Sequence, residues 1–250
     1  MPLTQAARAL NLPVLKRIAS VAALAGFLAA CLLTVVQQIQ VVPLILEAEL
    51  QESAPDTPST SRTVSIPGHD DAAWRPAAGP QRTFFTLLSN VVMAVGFALL
   101  LGALIYLHGK PATWRSGLLW GIAGYTVFFV APALGLPPEL PGAASARLAE
   151  RQIWWLVSAL AAGAGLWMLI FARAFVARLA GLLLLAAPHL IGAPHPPVRG
   201  GAAPEELASA FILASALANA VFWLSLGSLV GLLDGRFARN GARPAAARPH

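Results

Sequence analysis

Six apolar runs divide this chain, at residues 15–36, 84–107, 117–136, 153–172, 179–193 and 207–233. A helix needs roughly 20 mainly apolar residues to cross about 30 Å of hydrocarbon, so these runs predict membrane spans before anything else is read. A mean hydropathy of +0.68 with 11% charged residues excludes an ordinary soluble domain. The expected fold is an all-α integral membrane protein, a bundle of about six transmembrane helices forming one polytopic domain over residues 1–250. The fifth run is short, which leaves five spans as the alternative. A start nearer Phe175, with Arg178 snorkelling, would lengthen it.

With six spans the termini share a side, and lysine and arginine decide which. The segments on the side of the termini hold eleven of the 17 basic residues and only Asp234 of the eleven acids; the opposite segments hold six basic residues and ten acids. The positive-inside rule puts the termini in the cytoplasm of a cell whose inner membrane the chain spans, with residues 236–250 as a basic cytoplasmic tail. The net charge of +6 therefore faces membrane lipid and not nucleic acid, since the basic residues are spread over short segments without interleaved aromatics.

Leu28-Ala29-Ala30-Cys31 behind Arg8, Lys16 and Arg17 has the look of a lipoprotein signal, but Leu32, Leu33, Val35 and Val36 continue the apolar run where a processed segment would turn polar. One cysteine permits no internal disulfide. Between the first two runs, residues 37–52 keep a helical pattern in which Gln37, Gln40, Leu44 and Glu47 form one stripe, provided the first helix continues past a kink at Pro43. Residues 53–80, rich in Pro, Ser, Thr, Ala and Gly, read as a flexible outer loop.

Within the spans, Gly117/Gly121 and Gly227/Gly231 are small-xxx-small pairs that let helix backbones approach. Trp114, Trp154 and Trp155 sit at span ends, as interfacial anchors do. Asn90 and Asn219 need partners at membrane depth, which predicts hydrogen bonds between helices.

Chemistry is left to histidines and carboxylates, donors that suit first-row transition metals. His69-Asp70-Asp71 sets three donors in a row in the flexible loop, though a solvated loop would explain them too. Glu47 and Glu49 are two apart and would diverge on a helix. Glu139 follows Pro137-Pro138 at a rigid corner just outside a span. His189 lies at the outer end of the fifth run, and His195 lies in the Pro-rich turn beyond it; an ionisable group at membrane depth is a functional candidate, yet either could be neutral and bonded to a carbonyl. No nucleotide loop is present, because Gly109-Lys110 runs into Pro111, and no hydrolase or zinc-protease spacing occurs, so an enzyme is not expected.

Five stretches together resemble the CbtA family of proposed cobalt transporter subunits: Val36-Gln-Gln-Ile-Gln-Val-Val-Pro-Leu-Ile-Leu-Glu-Ala-Glu49, Arg82-Thr-Phe-Phe-Thr-Leu-Leu-Ser-Asn90, Ala133-Leu-Gly-Leu-Pro-Pro-Glu-Leu-Pro-Gly142, Arg151-Gln-Ile-Trp-Trp155 and Pro188-His-Leu-Ile-Gly-Ala-Pro194. The resemblance runs in order from about residue 15 to residue 235. It implies a polytopic inner-membrane protein tied to cobalt supply for cobalamin synthesis, beside a small single-span, histidine-bearing partner. It also implies five spans, against the six counted from apolar runs.

Two functions follow as expectations. In one, Glu47, Glu49, His69, Asp70, Asp71, Glu139 and His189 are outer ligands for a transported cation, cobalt in the first instance with nickel and zinc as alternatives. The chain then passes that cation through or to a partner and carries no resident cofactor. Such binding would weaken as the imidazoles are protonated. In the other, the chain is a non-transporting membrane scaffold or assembly subunit, possible as an oligomer, whose turns only shape the bundle.

Overall fold

Where the chain is apolar it is helical, because in hydrocarbon each backbone N–H and C=O must find its partner within the segment. The structure, a computed structural model, describes residues 12–52, 76–77, 79–196 and 203–241, and every regular element among them is a helix. The order is α1 (Leu12–Val36), a π-helical turn (Gln37–Val41), α2 (Val42–Glu52), α3 (Pro80–His108), α4 (Trp114–Tyr125), a second π-helical turn (Thr126–Val130), α5 (Ala131–Gly135), α6 (Leu148–Phe171), α7 (Phe175–Ile191) and α8 (Glu205–Gly241). Among the described residues five helical stretches are long and apolar enough to cross a membrane: Leu12–Glu52, Pro80–His108, Trp114–Gly135, Leu148–Phe171 and Glu205–Arg239. The fifth apolar run does begin at Phe175, but its 17 residues rise only about 26 Å, short of the hydrocarbon thickness. Most of the loop expected over 53–80 lies outside the described residues, and Pro80 already belongs to α3.

Along α1 burial runs against the pattern of a soluble bundle. On α1 the buried positions are mostly small, Ala22, Ala25, Gly26, Ala29 and Ala30, while Leu24, Phe27, Leu28 and Leu32 point outward. Lipid tails are as apolar as leucine, so large side chains gain nothing by turning inward, and small ones let helices close on one another.

Two compact units divide the chain. The first comprises residues up to 34, 87–125 and from 219 onward. Here α4 and α8 meet through the predicted glycines: a Cβ on Gly117 would strike the Gly227 carbonyl, one on Gly121 the Trp223 carbonyl, and one on Gly231 would lie 2.8 Å from the Gly117 Cα. The indole of Trp223 covers Gly124 and stacks obliquely on Phe97, ring centres 4.7 Å apart. Gly26 is pressed on the Val95 backbone, where a Cβ would come within 2.9 Å. Asn90 has the interhelical partner that was expected: its Nδ2 donates to Thr34 Oγ1 at 2.9 Å, and that hydroxyl donates to Ala30 O at 2.8 Å. Asp234, the lone acid among the predicted inner segments, is 3.0 Å from Arg17.

The second unit comprises residues 35–86 and 126–218. Its principal helix pair is α6 with α7, which meet at Gly165 and Gly181, each glycine set against the other's carbonyl. Arg178 reaches back from α7 so that its Nε donates to Ala172 O at 2.9 Å, satisfying a carbonyl at the end of α6.

Both π-helical turns fall in this unit, and each ends two residues before a proline, Pro43 or Pro132. Proline has no N–H to donate, and its ring clashes with the carbonyl four residues back. Widening the ladder by one residue relieves that clash, and the Val42 N–H accordingly bonds Gln37 O, five residues earlier. The extra residue also breaks the stripe expected of Gln37, Gln40, Leu44 and Glu47. The first two lie in the π turn and the others in α2, so α-helical spacing does not run through all four.

Trp114 and Trp155 are exposed as interfacial anchors should be, but Trp154 is only 7% exposed. Because α6 starts at Leu148, Trp154 sits well inside the helix rather than at its end, and its ring covers Gly135.

Candidate metal-binding residues

The described candidates Glu47, Glu49, Glu139 and His189 all belong to the second unit. Glu47 and Glu49 are on helical α2 and diverge, as two residues at that spacing must. Glu47 is exposed, whereas Glu49 takes the fork of Arg82: Nη2 to Oε1 at 2.8 Å and Nη1 to Oε2 at 3.3 Å. Both carboxylate oxygens are thereby engaged, the geometry in which a guanidinium binds most strongly.

Glu139 occupies the turn between α5 and α6. Its Oε2 lies 3.0 Å from Arg151 Nη2 and accepts from the Ser145 hydroxyl at 2.8 Å. Gly142 closes this turn at φ 74°, a left-handed conformation that favours glycine. A Cβ there would stand 3.2 Å from Glu52 Oε2, so the end of α2, with its own carboxylate, lies against the turn that carries Glu139. Beside the Glu139–Arg151 pair opens a cleft of about 380 Å³ walled by Phe128, Phe129, Leu136, Pro138 and Trp155.

His189 lies in the last turn of α7, just after the buried Pro188. Its ring meets that of Trp154 edge to face, centres 6.0 Å apart, and the Trp154 indole N–H donates to Pro132 O at 3.3 Å. The imidazole is thus fixed against a tryptophan that is tied to the start of α5. His195 is exposed in the coil after α7. His69, Asp70 and Asp71 lie outside the described residues.

Among the described residues no three of histidine, cysteine, aspartate and glutamate stand close enough to hold one ion together. The structure brings three of the four described candidates instead to partners that sequence reasoning did not name: Arg82 for Glu49, Arg151 and Ser145 for Glu139, Trp154 for His189. Glu52 was missed as well. The pairs are 33, 12, 6 and 35 residues apart, spacings that no periodicity reveals.

Imidazole and carboxylate are the donors that divalent transition metals take, and here both kinds occupy helix ends and one turn of a single unit. A family model described as probable cobalt transporter subunit (CbtA) matches residues 15–234, which takes in both units and every described candidate. No curated protein and no solved structure matches the chain. With helices for every described element and this match over most of its length, the chain belongs to the CbtA family of probable cobalt transporter subunits.

Proposed function

We infer that this chain collects a divalent cation, cobalt in the first instance, on an acidic, histidine-bearing outer face and passes it through the membrane or to a partner. The observation that carries this reading is the family match spanning residues 15–234, together with Glu49 and His189 in the last turns of their helices and Glu139 in the turn between α5 and α6, all in one unit. Glu47 and the loop donors His69, Asp70 and Asp71 belong to the same proposed face. Counting the short α7 as a sixth crossing, which local thinning of the bilayer accommodates, the excess of lysine and arginine beside the termini supports an inner-membrane protein with both termini in the cytoplasm. The ten acids of the opposite segments would then raise the local concentration of divalent cations outside, an attraction that weakens with salt.

As a family of subunits, these chains are read as working with a second component, which we take to be a small single-span protein with a histidine-bearing tail. Cobalt delivered this way would serve cobalamin synthesis. The uptake of labelled cobalt by cells lacking their own importer tests the reading. Cells expressing the chain with the small partner should accumulate cobalt against an excess of nickel or zinc. Accumulation no greater than in cells without the chain, despite its insertion, would leave a non-transporting assembly subunit as the better account.

A further inference from the structure

Three arginines fall among the described residues of the segments assigned to the outer side, Arg82, Arg147 and Arg151, and each is paired with a glutamate. The Arg147–Glu150 contact is a loose 3.7 Å pair one helical turn long, with Arg147 84% exposed, and it carries little. The other two are built differently. Arg82 and Arg151 are 35% and 33% exposed, they hold Glu49 and Glu139 at 2.8 Å and 3.0 Å, and they hold the two carboxylates proposed above as cation ligands.

We propose that Arg82 and Arg151 are specificity-determining residues that act as resident monovalent cations, so that only an ion of higher charge displaces them. This rests on the reading of Glu49 and Glu139 as outer ligands. A guanidinium stays charged at any physiological pH, so each carboxylate is neutralised before a metal arrives. Sodium or potassium replacing it brings the same single charge and forfeits the fork of hydrogen bonds, which leaves no net gain. A divalent ion doubles the Coulombic attraction for the carboxylate, and it repels the guanidinium away from the site. The pairs are half-buried rather than sealed, so an entering ion can reach the carboxylates and the arginine can swing out. The dispersed placement of the ligands fits this scheme: with each acid held by its own arginine, the site is assembled by exchange rather than preformed.

The test is equilibrium binding of Co²⁺ to the purified full-length protein in detergent. It compares sodium chloride with N-methyl-D-glucamine chloride at equal ionic strength, which separates competition by a small cation from screening. The wild-type protein should bind with the same Kd in both salts. Arg82→Gln and Arg151→Gln should each bind about two- to fivefold more tightly in the bulky salt and lose that gain in sodium. Variants with wild-type affinity and wild-type indifference to sodium, or a wild-type protein that sodium already inhibits, overturn the proposal. The two arginines sit on different helices, so a failure of either variant to insert leaves the other to decide. Binding that is lost in Glu139→Gln but unaltered in both arginine variants sinks this inference alone; no binding by any of them sinks the outer-ligand reading as well.

Discussion

The two units solve the same problem of helix packing in lipid and then part company. In the first, uninterrupted helices close on one another through Gly117, Gly121, Gly227 and Gly231, and its buried amide, Asn90, is satisfied by a hydroxyl that is itself bonded to its own helix. In the second, glycine contact survives at Gly165 and Gly181, but two helices are widened by π turns ahead of prolines, and arginine–glutamate pairs and the Trp154–His189 contact stand at the helix ends. Regular helix is the least costly backbone in hydrocarbon, so its interruption twice in one unit, each time ahead of a proline, sets that unit apart from the other.

The division is most easily broken at the α4–α8 contact. Gly227→Leu should abolish insertion of folded protein, because even a Cβ meets the Gly117 carbonyl and would lie 2.6 Å from the Gly121 backbone. The milder Gly227→Ala should cost about 1–3 kcal/mol of overpacking, read from thermal unfolding in detergent. If transport per folded molecule falls as far as the folded fraction does not explain, the first unit is more than packing.

Trp154→Phe sharpens the other side. It keeps an aromatic ring but removes the indole donor to Pro132, a loss of about 0.5–1.5 kcal/mol for that hydrogen bond, together with the outer ring that covers Gly135. Cobalt binding should weaken beyond what that instability explains, since His189 loses its fixed neighbour; unchanged binding would mean that the tryptophan only fills space. Asn90→Ala should cost about 0.6 kcal/mol, the mean for hydrogen bonds between membrane helices, and leave cobalt binding untouched. Thr34 keeps its own carbonyl acceptor, so its hydroxyl is not orphaned. The smallest effect belongs to Arg178→Ala, whose bond to Ala172 O is exposed. A loss of at most about 0.5 kcal/mol, the low end for an intramolecular hydrogen bond, should show as fraying between α6 and α7 in hydrogen exchange.

Spans, facing glycines and the need of Asn90 for a partner are legible in the sequence because each follows from local physics. Hydropathy measures the solvent, small residues four apart form a groove, and an amide in lipid must be bonded. The shortness of the fifth run and its start at Phe175 were legible for the same reason. The π turns were not, although Pro43 announced that something must happen: a kink and a widened turn both relieve the ring, and only the surrounding packing chooses between them. Trp154 looked like an anchor because apolar periodicity starts α6 at 153, whereas the helix begins at Leu148 on residues of mixed polarity. Arg82 and Arg151 were counted for topology and not for pairing, since which arginine meets which glutamate depends on tertiary placement.

The most direct test of the account is the uptake of labelled cobalt by Glu139→Gln and His189→Ala combined, in cells that express the small partner and hold variant and wild-type chains at equal membrane abundance. We predict uptake reduced to the level of cells without the chain, with the thermal unfolding of the purified variant close to that of the wild type. Wild-type uptake by that double variant would contradict the claim that the second unit presents the cation-binding face.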